Sequence, residues 1–119
     1  MSFWQCRIDD KECVLKVLRT REELSTGYQH HPVGPTDNEG FLFLFADELP
    51  ERTFHMRNVK FNLDLLGFNN EGKLIFTTSM QANAEGVYKI PAGCKFIVEM
   101  QENWSNGINK NCHLSIIRH

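Results

Sequence analysis

The chain has 119 residues, 41% of them hydrophobic and 24% charged, a length and balance that fit one globular domain burying about two-thirds of its unfolded surface and argue against disorder. Thirteen Lys and Arg against fifteen Asp and Glu leave a formal charge of −2, which speaks against the basic surface that non-specific nucleic-acid binding requires. No apolar run approaches the ~18 residues of a membrane span.

In chain order, Cys13 to Leu18 alternates in a Val- and Leu-rich run that reads as a strand with largely buried faces. Thr20-Arg21-Glu22-Glu23 fits a capping box, and a short helix from Arg21 to about Tyr28 follows, with Gly27 weakening its end. His30 to Glu39 is a loop held out of regular structure by His31-Pro32 and Gly34-Pro35. Gly40 to Phe45 reads as a strand covered on both sides, and Glu48 to Arg52 as a charged turn with Pro50. Two apolar runs, Phe61 to Phe68 and Lys73 to Met80, flank Asn69-Asn70-Glu71-Gly72 and predict a hairpin, with Gly72 supplying the positive φ. Val87 to Ile90, Lys95 to Met100 and His113 to Ile117 complete the strands, with Phe96, Val98 and Met100 on one face of their strand and Lys95 and Glu99 on the other. The expected architecture is mainly β: a compact β-sandwich or squat β-barrel of about seven strands, with one short α-helix plugging an end or covering a face, as a single domain over 1–119.

The N-terminal segment lacks a basic region, a continuous apolar stretch and a small-residue cleavage site, so the expected location is cytoplasmic. Cys6, Cys13, Cys94 and Cys112 form no C-x-x-C pair and read as reduced thiols packed in the core.

Several segments resemble domain-of-unknown-function family 192, a group of small, mostly uncharacterised prokaryotic proteins. Gly40-Phe41-Leu42-Phe43-Leu44-Phe45 is similar to the family's apolar Gly-Met-Leu-Phe-Val-Phe strand, and Phe54-His55-Met56-Arg57-Asn58 to its central Phe-Trp-Met-Lys-Asn motif. Asn62-Leu63-Asp64-Leu65 falls where Pro-Leu-Asp-Ile is expected, Asn70 to Ile75 follows at the matching distance, and Val98-Glu99-Met100 with Gly107-Ile108 resembles the late strand. The order holds over about residues 13 to 117. Gly27-Tyr28-Gln29 keeps only the Gly of Gly-Leu-Met, and His55, Val59 and Asn62 replace Trp, Thr and Pro, which marks a divergent member. The resemblance implies a mainly β fold with one helix and carries no reaction with it.

The stretch Thr53 to Asp64 is the most informative for chemistry. Extended, it places Phe54 and Met56 on one side and Thr53, His55 and Arg57 on the other, where an imidazole and a guanidinium can receive a polar or anionic ligand. Asn58 turns the chain and Asp64 anchors Asn58 or Arg57; alternatively His55 and Arg57 are solvated while Asn58 and Asp64 tie off backbone amides. Glu99 is either the outward residue of a half-buried strand or a partner of Arg57. His30-His31 have diverging rings and suggest no metal site, and Cys112-His113 point to opposite faces, so neither a metal nor a cofactor is expected. These residues are best read as a binding or accessory module. Its polar pocket near His55, Arg57, Asn58, Asp64 and Glu99 takes a small polar or anionic ligand or a partner peptide, without nucleic acid or membrane, as a monomer or homodimer. The competing readings are a hydrolase acting on a saccharide-type substrate through Asp64 and Glu99, and a structural protein that self-associates through a strand edge.

Overall fold

The computed structural model describes residues 2–119. Among them are nine strands and one helix: β1 (Ser2–Ile8), β2 (Lys11–Leu18), α1 (Arg21–Thr26), β3 (Glu39–Leu44), β4 (Arg52–Phe54), β5 (Leu63–Phe68), β6 (Leu74–Met80), β7 (Tyr88–Ile90), β8 (Phe96–Gln101) and β9 (Leu114–Arg118). Seven strands form one sheet in the order β6-β5-β8-β3-β2-β1-β9, and β4 pairs with β7 in a separate two-stranded ribbon. All pairings in the sheet are antiparallel except β2 with β3. Parallel neighbours need a crossover, and here the crossover is the segment that carries α1.

The sheet curls until its far edges touch. Lys73 and His113 form an isolated antiparallel bridge, Leu74 N donates to Cys112 O at 3.0 Å and Leu114 N donates to Gly72 O at 2.8 Å. Gly72 makes this seam possible. Its φ of +81° suits the hairpin turn between β5 and β6, and a Cβ there would sit 2.9 Å from the Leu114 carbonyl oxygen. The result is a half-barrel of mainly β structure with one short helix, the barrel form of the expected architecture rather than the sandwich.

The period-two alternation along each strand sorts side chains into two cores. Inside the curl lie Trp4, Cys6 and Ile8 of β1, Cys13, Leu15 and Val17 of β2, and Leu42, Leu66, Phe68, Val98 and Met100 from the central strands. On the outer face Leu18, Phe43, Leu65, Met80 and Ile97 are covered by Tyr28, Met56, Val59 and Ile90 from the crossover and from the segment around the ribbon. Fully burying one such aliphatic side chain contributes roughly 1.5–3 kcal/mol, so the outer cover is bound to the sheet by the same force that closes the interior.

Two differences from the sequence expectation have physical causes. β1 is a full strand because Trp4, Cys6 and Ile8 alternate inward and pair with β2 across a turn in which Asp9 takes φ 59°. The stretch from Phe54 to Leu65 is not continuous sheet. It is extended only at its ends, and residues 55–62 form an irregular turn in which Val59 N donates to Met56 O at 3.2 Å and Asn58 adopts φ 62°. Met56 and Val59, 1% and 3% exposed, drop into the outer core from this turn. Their burial overrides the alternation that a strand would impose.

Candidate functional site

The site begins with the end of α1. The capping box is present: Glu23 N donates to Thr20 Oγ1 at 3.0 Å, and Thr20 N returns to Glu23 Oε1 at 3.0 Å. The helix stops at Thr26, before Tyr28, because Gly27 leaves the helical region at φ 48° while its N–H still donates to Glu23 O. A Cβ at Gly27 would lie 3.0 Å from Phe43 Cζ and 3.7 Å from Glu99 Oε1. The chain therefore crosses directly over β3 and β8, and only glycine gives both the turn and the approach. One residue on, Tyr28 stacks on Phe41 with ring centroids 3.8 Å apart and planes 4° apart.

This crossing leaves a recess of about 460 Å³ beside it, within the size range of small-molecule sites. Ser25, Thr26, Gly27, Tyr28 and Gln29 form one wall; Arg52, Thr53, Phe54, His55 and Val59 form the other; Phe43 and Glu99 are contributed by the sheet. Phe43 and Phe54 meet edge to face at 5.2 Å, giving the recess an aromatic flank.

Glu99 dominates its electrostatics. It stands in register between Phe41 on β3 and Leu65 on β5 and is 5% exposed. Burial alone pushes its carboxyl up from 4.5 to about 8, with no hydrogen bond or neighbouring charge among the described residues to hold it down. A carboxyl so placed carries its proton at neutral pH. Arg52, on the facing wall, does not pair with it: the ion pair found among the described residues joins Arg7 to Glu12. The Arg52 guanidinium lies over the Phe45 ring at 4.7 Å, and its Nε is buried without an acceptor. His55 Nδ1 accepts the Arg57 backbone N–H at 3.2 Å, which assigns the ring proton to Nε2. The recess is thus lined by an acid without a hydrogen-bond partner and, on the facing wall, by an arginine that does not pair with it.

Of the residues singled out in the sequence, the structure brings His55 and Glu99 to this recess and places Arg57, Asn58 and Asp64 elsewhere. Arg57 and Asn58 are exposed on the turn; Asn58 works through its backbone, its φ of 62° turning the chain and its carbonyl accepting from His30 N at 2.8 Å. Asp64, 2% exposed, is on the other face of the sheet. It accepts from Asn103 N at 3.2 Å and from Ser105 N and Oγ at 2.9 and 2.6 Å, tying down the loop after β8. Leu65 pairs with Glu99 and Asp64 with Met100, so the two carboxylates point to opposite sides and share no cleft. That arrangement removes the geometric basis of a paired-carboxylate hydrolase.

Sequence reasoning missed Arg52, Phe54, Phe43 and Tyr28, and set Thr53 on the side of His55 without giving it a role. Arg52 was hidden inside a charged turn, Phe43 read as part of a covered strand, Phe54 as facing away from the polar side, and Tyr28 as the end of the helix; Phe43 and Tyr28 also belong to the outer core. The signal that was available is Glu99 itself, one carboxylate within an apolar strand facing an apolar row. His31 packs edge-on against Tyr28 and Phe41 at 5.4 Å, and burial, followed by nearby Lys16, lowers its basicity. Among the described residues no group of three His, Cys, Asp or Glu is gathered for a metal ion. No helix among them is long and apolar enough to cross a membrane.

A family model, DUF192, described as "Uncharacterized ACR", matches residues 5–116. No curated protein matches the chain. Two solved structures are similar to it. One is a candidate transcription regulator from Sinorhizobium meliloti, 13% identical, TM-score 0.89, over 97% of this chain and 94% of that one. The other is a protein of unknown function from Novosphingobium aromaticivorans, 18% identical, TM-score 0.83, over 95% and 84% respectively. At these identities the likeness speaks to the fold.

Proposed function

This chain belongs to domain-of-unknown-function family 192, an uncharacterised family, and on that footing we propose that it is a binding module whose recess between the α1 crossover and the β4 segment takes a small polar ligand. The observation that carries the reading is Glu99, a residue only 5% exposed that lines the recess and whose carboxyl makes no hydrogen bond within the described residues. Burying a carboxyl without hydrogen bonds costs stability that a fold has no reason to spend; a ligand that supplies the missing bonds recovers it. Arg52 Nε, buried without an acceptor on the facing wall, supports the same reading.

Nothing in the recess suits nucleophilic catalysis. It holds no Ser–His or Cys–His pair in hydrogen-bond contact, and His55 spends Nδ1 on the backbone. A net charge of −2 gives no counterion-release drive toward nucleic acid.

The test is a thermal-shift screen of small polar compounds on the intact protein and on Thr53→Trp, which fills the recess from an exposed position on its wall. A ligand of the native state raises Tm by mass action. The expected result is a saturable rise in the native protein that Thr53→Trp abolishes while keeping its own unliganded melt. Ligand responses that survive the filled recess would sink the reading.

A further inference from the structure

An acid and a base with missing partners line one small cavity, and together they describe the molecule that fits it. Glu99 offers a carboxyl that no donor of the protein reaches, flanked by Phe43 and by the Tyr28 segment. Arg52 offers a guanidinium whose Nε lacks an acceptor and whose face is braced on Phe45. The two are not within ion-pair distance of each other, so neither satisfies the other and space is left between them. Each is one half of an ion pair.

Resting on the binding role proposed for this recess, we propose that it binds a small zwitterion, with its ammonium on Glu99 and its carboxylate on Arg52, as in a free amino acid. The chemistry of the two ends differs in kind. An ammonium supplies hydrogen-bond donors and a positive charge to a buried carboxylate, and the aromatic faces of Phe43 and Phe54 are compatible with a cation. A carboxylate matches the planar donor fork of arginine. A purely anionic ligand would leave Glu99 without a counter-charge, and a purely cationic one would bring a second positive charge toward Arg52. A zwitterion satisfies both and adds no net charge to a confined site.

The assignment has a proton signature. Ammonium binding selects the ionised form of Glu99, so complex formation at neutral pH releases about one proton, and affinity rises about tenfold per pH unit up to about 8, then levels. The other groups facing the carboxyl or its surroundings are Tyr28 from the crossover, Arg52 and His55 from β4 and its continuation, and Lys16 on β2 beyond Phe41. Tyr28 is held above its usual range by burial, then by Glu99 and Glu39, and arginine keeps its charge. Histidine changes charge near neutrality, so the profile is repeated in His55→Gln.

The experiment is calorimetry of the full chain with four probes sharing one aromatic body: phenylalanine, phenethylamine, hydrocinnamate and phenethyl alcohol. γ-Aminobutyrate and ε-aminocaproate vary the charge spacing. Each titration is run in two buffers of different ionisation enthalpy to count protons. The expected order places a zwitterion first, at least about tenfold tighter than the alcohol, a difference of ~1.4 kcal/mol, with proton release that persists in His55→Gln. Glu99→Gln, which keeps the shape, should abolish the release and the preference for ammonium; Arg52→Met should abolish the preference for carboxylate. Hydrocinnamate or the alcohol binding as tightly as any zwitterion, or Glu99→Gln leaving the order unchanged, would overturn the zwitterion while leaving the recess a binding site. Binding by none of these probes also overturns it, and the broader screen on Thr53→Trp then decides the recess separately.

Discussion

In an unfolded chain Glu99 would lose its proton around 4.5, whereas in the fold it keeps it to about 8. Between those values the native state binds more protons than the unfolded state, so stability falls as pH rises. The contribution is fully present below 4.5 and is lost on passing through 8. Above that the ionised carboxylate costs on the order of a few kcal/mol. Glu99→Gln cannot ionise, so its stability relative to the native protein should climb across this window and flatten at both ends, as urea melts at stepped pH would read. A flat difference would mean that the carboxylate has partners. Glu99 was legible in the sequence because a lone acid among Phe96, Ile97, Val98 and Met100 must either face water or be buried at a cost. Arg52 was not legible, because beside Glu48, Pro50 and Glu51 a charge looks solvated, and only the packing of the ribbon turns it inward.

Elements divide into those that build the sheet and those that lie on it. Asp64 belongs to the first kind. Its three accepted bonds hold the loop after β8, so Asp64→Ala should lower stability by on the order of 3 kcal/mol and leave ligand binding at the recess intact once folded. Loss of binding in the folded variant would join the two faces that the structure separates. Helix α1 belongs to the second kind. Thr20→Ala removes one side of its capping box and should cost about 1 kcal/mol, read as a lower Tm, with affinity at the recess weakened because the crossing at Gly27 is no longer fixed. The hairpin around Gly72 and the capped helix were readable because both have local sequence rules. The turn at 55–62 was not, because it is set by Met56 and Val59 finding the outer core, and that contact depends on where the ribbon lies.

At the scale of the whole molecule, curling the sheet places Cys6, Cys13 and Cys112 inside and leaves Cys94 under the outer cover. All four are free and buried. Burial raises Cys6 to about 11, and burial with the neighbouring Cys6 raises Cys13 to about 12; Cys94 is raised to about 11 by burial and then Glu48. Thiolate is the reactive form, so a thiol reagent at neutral pH should label none of them quickly in the native protein and all four on denaturation. Rapid labelling without a denaturant would show that the fold opens on the timescale of the reagent.

Helix α1, six residues long, has no buried residue of its own. A segment held by its caps, by the half-buried Leu24 and by the crossing at its C-terminal end has less to lose on lifting than a buried strand, and such segments open locally before the molecule unfolds. Its amide hydrogens should therefore trade with solvent deuterium well ahead of those in β8, which is paired on both sides. The carboxyl would then sit on the slowest-exchanging part of the molecule while its roof breathes, which gives a small visitor a way in without disturbing the strand that receives it.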